Sequence, residues 1–230
     1  MPTKYYLGFA TSPELENAAI VLLDSYARNV KESLVPHMEK TIELFVPELL
    51  QAFLVGTVDA VGLNSTAGKI VHTTADVIAK TSSMLVPHLL RKRSNEELRP
   101  LSGFVDETYV RPDVCSTGKA GTGCEIDKAT YDRMQRVISE VRAGNGQEVL
   151  PELHDLMSLT VDIMLEGFMK RSIGLIKLNF VVRKIADGAI STCKAAGHGV
   201  VNKVFKKLSD DQLIHVANYF DGLIFSAEQA

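Results

Sequence analysis

The sequence predicts an all-α protein, a multi-helix bundle with two groups of three to four helices joined by a long irregular loop. Hydrophobic residues make up 46% of the 230 residues but aromatic residues only 7%, so the apolar mass is Leu, Val, Ile and Ala. These apolar residues recur in steps of three and four along most of the chain, which is the spacing of one helix face. Prolines and capping residues stand where several of the periodic stretches begin.

The N-terminal half, residues 1–92, divides into three predicted helices. Ser12-Pro13-Glu14 starts the first, because a capping hydroxyl precedes a proline and an acidic residue. Pro36 opens the second, and Pro47 should kink or restart it, since proline lacks the N–H that a helix interior needs. The expected helices cover residues 13–33, 36–62 and 67–92.

Residues 93–124 are expected to form the irregular loop between the two helical halves. They contain two prolines and a cluster of glycines, without clear periodicity. Connections of this length are usually functional or disordered. A short strand around Phe104 to Val110 is the one regular element that the segment suggests.

The C-terminal half, residues 125–230, returns to helical periodicity. Ser209-Asp-Asp-Gln212 is a capping box that starts a last helix, reaching Leu223. The longest predicted helix, 173–207, has a stripe of mostly small apolar residues. The helices before the last one are expected at residues 126–142, 147–170 and 173–207. The members of that stripe are Leu178, Val182, Ile185, Ala189, Cys193, Ala196, Val200 and Val204.

Residues 170–207, which we call the basic segment, carry nine Lys or Arg and one acid in a chain of net charge −3. A basic amphipathic helix is typical of proteins that bind an anionic surface or an acidic partner. The helix before it, 147–170, has an acidic outer face, but two helices that bury their apolar stripes in one core bring their charged faces together only at the edges. The candidate anion-binding residues are Lys177, Arg183, Lys184, Lys194, His198, Lys203 and Lys206.

No catalytic, cofactor-binding or metal-binding residues are predicted. The six histidines lack the spacing of the ExxH and HExxH motifs, and no CxxC pair occurs. Residues 62–70 differ from a phosphate-binding loop in spacing and lack a preceding strand. The three cysteines are expected to be free thiols, although the sequence leaves open whether Cys115 and Cys124 pair across their Gly-rich loop. We expect neither a targeting segment nor a membrane span, and hence a cytoplasmic protein.

The first quarter of the chain resembles a known family. Lys4-Tyr-Tyr-Leu-Gly-Phe9, a Tyr26-containing helix, proline-initiated helices and Val58-Asp59-Ala-Val61 are similar to motifs of the small rubber particle and lipid-droplet coat proteins of plants and algae. The resemblance covers residues 4–62 only. It implies a non-enzymatic amphipathic coat on neutral-lipid particles.

Taken together, these patterns favour a non-enzymatic binding protein that associates with a lipid or lipid-particle surface through amphipathic helices, above all helix 173–207. A peripheral position on a membrane or lipid particle would follow. A second hypothesis is a helical scaffold subunit that binds itself or an acidic protein partner. A third is an enzyme of unknown chemistry that uses the 93–124 loop. Nucleic acid is disfavoured as a partner because the overall charge is slightly negative.

Overall fold

The computed structural model describes residues 3–62, 65–204 and 208–228, and the chain is mostly helical but not all-α. A four-stranded antiparallel sheet accompanies the helices, which corrects the predicted fold class. Lys206, one of the candidate anion-binding residues, lies outside the described residues.

The sheet joins segments that are far apart in the sequence. Its strands are β1 (Thr3–Ala10), β2 (Tyr109–Val110), β3 (Gly121–Ile126) and β4 (Ile224–Glu228), in the order β2-β3-β1-β4. The central strand β1 places Tyr5 opposite Ile126 of β3 and opposite Ser226 of β4. Residues from both predicted halves therefore share one sheet.

Glycines hide the strands from a reading of the sequence. Gly8 of β1 faces Gly123 of β3, and a side chain at residue 8 would clash with the backbone of β3. Glycine inside a strand often marks such a close approach of two backbones. Glycine is also typical of loops, although Gly8 and Gly123 both lie in paired strands.

The helix starts follow the capping rules. The Ser12 hydroxyl accepts a hydrogen bond from the Leu15 N–H, and capping boxes at Ser94–Glu97 and Ser209–Gln212 have both reciprocal bonds, so the predicted last capping box is confirmed. The helices are α1 (Pro13–Ala27), α2 (Val35–Leu50), α3 (Gly56–Val61), α4 (Ser65–Leu90), α5 (Asn95–Thr108), α6 (Lys128–Glu140), α7 (Leu150–Met164), α8 (Arg171–Gly174), α9 (Phe180–Val204) and α10 (Asp210–Asp221).

The predicted loop 93–124 is mostly regular structure. It contains α5, β2 and the first part of β3. Residues 111–120, between β2 and β3, belong to no helix or strand. Pro100 lies inside α5 without ending it. The predicted irregular linker is therefore wrong: the Ser94 capping box starts a helix that continues past Pro100 and buries Leu98 and Leu101 in the core.

The predicted helix 173–207 is interrupted. Helix α8 ends at Gly174, and α9 begins at Phe180 after Asn179, whose side-chain oxygen accepts the Val182 N–H at 2.9 Å. The predicted apolar stripe is largely the buried face of α9, since Ala189, Cys193 and Val200 are buried. Ile185 is the exception, because it is exposed while its neighbour Ala186 is fully buried.

A nearly continuous helical stretch, Val35–Val61, runs through α2, a π-helical turn at Gln51–Val55 and α3. Pro47 does not break it; the register shift comes in the π-turn, where the Tyr219 hydroxyl donates to the Ala52 carbonyl at 2.8 Å. Among the described residues this is the one stretch long and apolar enough to cross a membrane, a property that core helices can share.

Two main clusters of buried residues form the core. One lies on the sheet side and includes Leu7, Val137 and Val216, together with Val200 from the C-terminal part of α9. The other includes Leu22, Met38, Leu89 and Ala186, the last from the N-terminal part of α9. Helix α9 thus contributes to both clusters.

Candidate functional site: an apolar cavity between the helices

A cavity of about 270 Å³, partly open to solvent, is lined by residues of both core clusters. Its walls come from α1, α2, α4, α5, α7 and α9, with Thr122 of β3 and Phe220 of α10 at the sheet side. No Asp, Glu, Lys, Arg or His occurs among its lining residues in the described parts of the chain. A large apolar pocket is the default candidate for a binding site.

The stretch Val35–Val61 supplies one wall. Ile42, Phe45, Leu49 and Phe53 recur at helical spacing on the side that faces the cavity, and all four are only half-buried. These four side chains pack against the two core clusters and leave part of their surface open to the cavity.

Aromatic rings brace this wall. The rings of Phe45 and Phe168 are tilted, with centroids 4.9 Å apart, and Phe9 of β1 lies 6.0 Å from Phe45. Phe168 also meets Phe104 of α5 edge to face at 6.4 Å. Tilted and edge-to-face pairs are favourable beyond the area they bury. The rings keep the wall from collapsing into the space beside it.

Helices α4 and α9 form the opposite wall as antiparallel neighbours. The end of α4 lies at the start of α9, where the Arg93 guanidinium donates to the Lys177 carbonyl at 2.7 Å. Leu85 and Cys193 line the cavity, and Gly197 of α9 packs so closely on Val161 of α7 that a Cβ there would lie 2.8 Å from a Val161 methyl. Helices α7 and α9 therefore pack in direct contact at this point.

The hydroxyl groups in the lining mostly bond to their own helices. Thr41, Thr108 and Thr160 each donate to the carbonyl four residues earlier at 2.9 Å, and Ser172 does the same to Phe168. Such bonds occupy the donor within the protein. The cavity therefore offers few free hydrogen-bonding groups to a ligand, as expected of a site that binds a hydrocarbon.

Tyr109 is the most polar side chain of the lining. Its hydroxyl donates to a Glu16 carboxylate oxygen at 3.0 Å. Burial, followed by this hydrogen bond to Glu16, raises the pKa of Tyr109 to about 12. The phenol therefore stays neutral at physiological pH, and no charge enters the cavity.

The predicted anion-binding residues lie outside the cavity and do not act as one group. Asp162 of α7 pairs with Lys194 at 2.8 Å and with His198 at 3.0 Å, so the acidic and basic helices do meet at this edge. The hydrogen bond from Lys194, with a smaller one from His198, lowers the pKa of Asp162 below its usual range.

The remaining members of that set behave differently. Lys177, Arg183, Lys184 and Lys203 are exposed. No carboxylate of the described residues lies within ion-pair distance of the first three. The predicted basic face is thus divided into a paired part near Asp162 and an open part around the start of α9.

The cysteines and histidines form no reactive or metal-binding group in the structure. Cys115, Cys124 and Cys193 are all buried free thiols, which answers the question of a Cys115–Cys124 bridge. Burial raises the pKa of Cys124 to about 12, so it is not a nucleophile at neutral pH. Among residues 3–62, 65–204 and 208–228, no three potential metal ligands come together.

The cavity was missed in the sequence, although one signal pointed to it. The run from Ile42 to Leu54, predicted as part of helix 36–62, is rich in apolar residues, but the sequence does not distinguish a side that faces a cavity from one that packs on protein. Comparison of the chain with family models, curated proteins and solved structures finds no match in any of the three. The resemblance of residues 4–62 to lipid-particle coat proteins therefore stays a prediction.

Proposed function

We propose that the protein is a binding protein that holds one apolar, lipid-like molecule in the cavity between α2, α4, α7 and α9. The observation that carries this proposal is the absence of charged side chains from the described lining, together with hydroxyls that are already bonded to their own helices. A polar guest would lose its hydrogen bonds to water and gain few in return, whereas a hydrocarbon loses none.

The volume sets the size of the guest. An apolar cavity of about 150 Å³ accepts one benzene molecule. By proportion, 270 Å³ holds a chain of about ten carbons. Each buried methylene contributes about 0.8 kcal/mol, so ten give about 8 kcal/mol before the cost of immobilising the chain. Without that cost the dissociation constant would be about 1 μM, and a cost of about 4 kcal/mol brings the expected value to about 1 mM.

This proposal keeps the lipid-binding class that the sequence favours but moves the contact from the surface to the interior. A lipid-particle coat needs apolar faces that open onto the particle. Here the longest apolar stretch, Val35–Val61, faces the cavity instead. Lys194 and His198, candidate cations of both the lipid-surface and the scaffold hypotheses, already have a partner within the chain, which weakens the support for both.

The test is calorimetric titration with a series of straight-chain alcohols from about six to fourteen carbons. Affinity should rise about fourfold per added methylene and level off near ten carbons, where the cavity is full. Binding should carry a negative heat-capacity change, the mark of apolar burial. An affinity that keeps rising past fourteen carbons, or no binding at any length, would refute the proposal.

A further inference from the structure

The apolar side chains that face solvent are concentrated on one part of the surface. Eight large apolar residues are exposed in the described chain, and six of them lie on α4, on α9 or in the turn before α9. The most exposed are Phe180, Val181 and Met84, with 79%, 65% and 65% of their surface accessible. The other three are Val77, Leu175 and Ile185. Exposed apolar clusters on a folded protein usually mark a contact surface.

The strongest part of this cluster lies at the start of α9. Phe180 is the first residue of the helix, Val181 follows it, and the turn at Leu175–Asn179 precedes them. The hydrogen bond from Arg93 to the Lys177 carbonyl holds this turn against the end of α4. The two most exposed apolar side chains of the cluster therefore project from a supported corner and not from a loose segment.

Cations lie next to this corner in the sequence, and one of them, Arg183, also lines a small pocket with Glu166 and Asp187. Residues 175–186 contain Lys177, Arg183 and Lys184 and no acid, and all three cations are exposed without a carboxylate partner among the described residues. Arg91 and Lys92 add two exposed cations at the adjoining end of α4. Lys184 follows Phe180 by four residues, so both lie on one side of α9. Asp187 is the acid that comes next along the helix.

We propose that this docking corner, formed by Phe180, Val181, Lys177, Arg183 and Lys184, binds the surface of a bilayer that contains anionic phospholipids. Aromatic and aliphatic side chains on a helix that also carries Lys and Arg are the combination that lies in a membrane interface. The apolar pair enters the acyl boundary, and each nearby cation adds to the attraction of anionic headgroups. Phe180 and Val181 lie between Lys177 and the cations Arg183 and Lys184, and this mixture of apolar side chains and cations matches the acyl chains and anionic headgroups of such a bilayer.

The corner also has a connection with the cavity. Helices α4 and α9 carry the exposed apolar residues on their outer side and line the cavity on their inner side. Ile176, beside Lys177 in the turn before α9, lines the cavity, so a bilayer bound to the corner would lie near that end of it. A role of the docking corner in delivering an apolar ligand from the bilayer to the cavity rests on the proposed function, whereas bilayer binding itself does not.

The experiment is flotation of the full chain with vesicles of phosphatidylcholine alone or mixed with phosphatidylserine, at low and at high salt. The parent should float with the anionic vesicles, and high salt should weaken this. The variant F180S/V181S should lose at least tenfold in bound fraction, and K177E/K184E should lose the preference for anionic lipid. The matched controls I20S/V21S, which removes exposed apolar residues from α1, and K40E should float like the parent.

Other outcomes would overturn the docking corner. Equal flotation of F180S/V181S and the parent would exclude an apolar anchor there. A concentration-dependent dimer that F180S/V181S abolishes, without vesicle binding by the parent, would show that the corner is an interface between copies. Alcohol titration of F180S/V181S separates the two proposals, because the cavity should keep its affinity when the corner is lost.

Discussion

Filling the cavity from its wall provides a sharp test of its existence. Cys193 of α9 is 2% exposed and lines the cavity, whereas Ala186, two turns earlier on the same helix, is fully buried and lies in packed core. Cys193→Leu adds side-chain atoms to empty space. Ala186→Leu forces the same side chain into a region that has no room for it. The two variants should therefore change stability in opposite directions.

The magnitudes follow from the number of atoms. Leucine has two more heavy atoms in its side chain than cysteine, and burying them contributes about 1.5 kcal/mol, from which about 0.5–1 kcal/mol of rotamer entropy is lost. The expected gain for Cys193→Leu is about 0.5–1 kcal/mol, or a rise in Tm of about 1–4 °C. Overpacking by Ala186→Leu should lower stability by about 1–3 kcal/mol.

Thermal and urea unfolding measure these changes, and alcohol titration provides an independent readout. In Cys193→Leu the affinity should level off about two carbons earlier in the series, because two carbons of the cavity are already filled. A loss of stability in Cys193→Leu equal to that in Ala186→Leu would mean that residue 193 borders packed core. The cavity would then not exist at that wall, and the binding proposal would fall with it.

Three further predictions concern stability and reactivity. Gly56→Ala should lower the free energy of unfolding in urea by about 1–3 kcal/mol, because a Cβ there would clash with the Tyr219 hydroxyl. The control Gly103→Ala, whose Cβ would meet nothing within 4 Å, should raise it by up to about 1 kcal/mol, and equal effects of the two variants would contradict this prediction. Asp162→Asn should cost less than about 1 kcal/mol at neutral pH, since this carboxylate is 44% exposed. The pKa of Asp162 is lowered in the folded state, so the stabilisation by its carboxylate is present above about pH 3.9 and is lost as the pH falls through the lower folded pKa. A stability difference between Asp162→Asn and the parent that persists in stronger acid would contradict this prediction. Because burial raises the pKa of Cys124 to about 12, thiol reagents at neutral pH should leave it unmodified until the protein unfolds, and rapid labelling of the native protein would show that β3 opens.

Local chemistry explains why the helix starts could be predicted and the sheet could not. The Ser12-Pro13 and Ser209–Gln212 starts depend on residues three positions apart, and these signals are complete within the sequence. The central strand β1 depends on partners more than a hundred residues away, and Gly123 suggests a loop until its backbone is placed beside that of Gly8. Pro100 contributed to the prediction of a loop at 93–124, but it lies inside α5.

The candidate site is less predictable still, because a cavity is a property of several helices at once. The half-buried face with Phe45 and Phe53 can be recognised as unusually apolar from the sequence, but what it faces is decided by how α4, α7 and α9 are placed. The basic segment could be recognised as well. Its division into a part paired with Asp162 and an open part near Phe180 depends on the break before α9 and on the tertiary contact with α7.

The position of β1 has a consequence for how the chain folds during synthesis. This strand leaves the ribosome early, yet one of its neighbours is β4 (Ile224–Glu228), more than two hundred residues later. At about 5–20 residues per second, β1 waits roughly 10–40 s for that partner. During this time the apolar strand has an open edge, the feature through which nascent chains aggregate. The topology therefore predicts that the sheet closes slowly and late, after β4 has been synthesised.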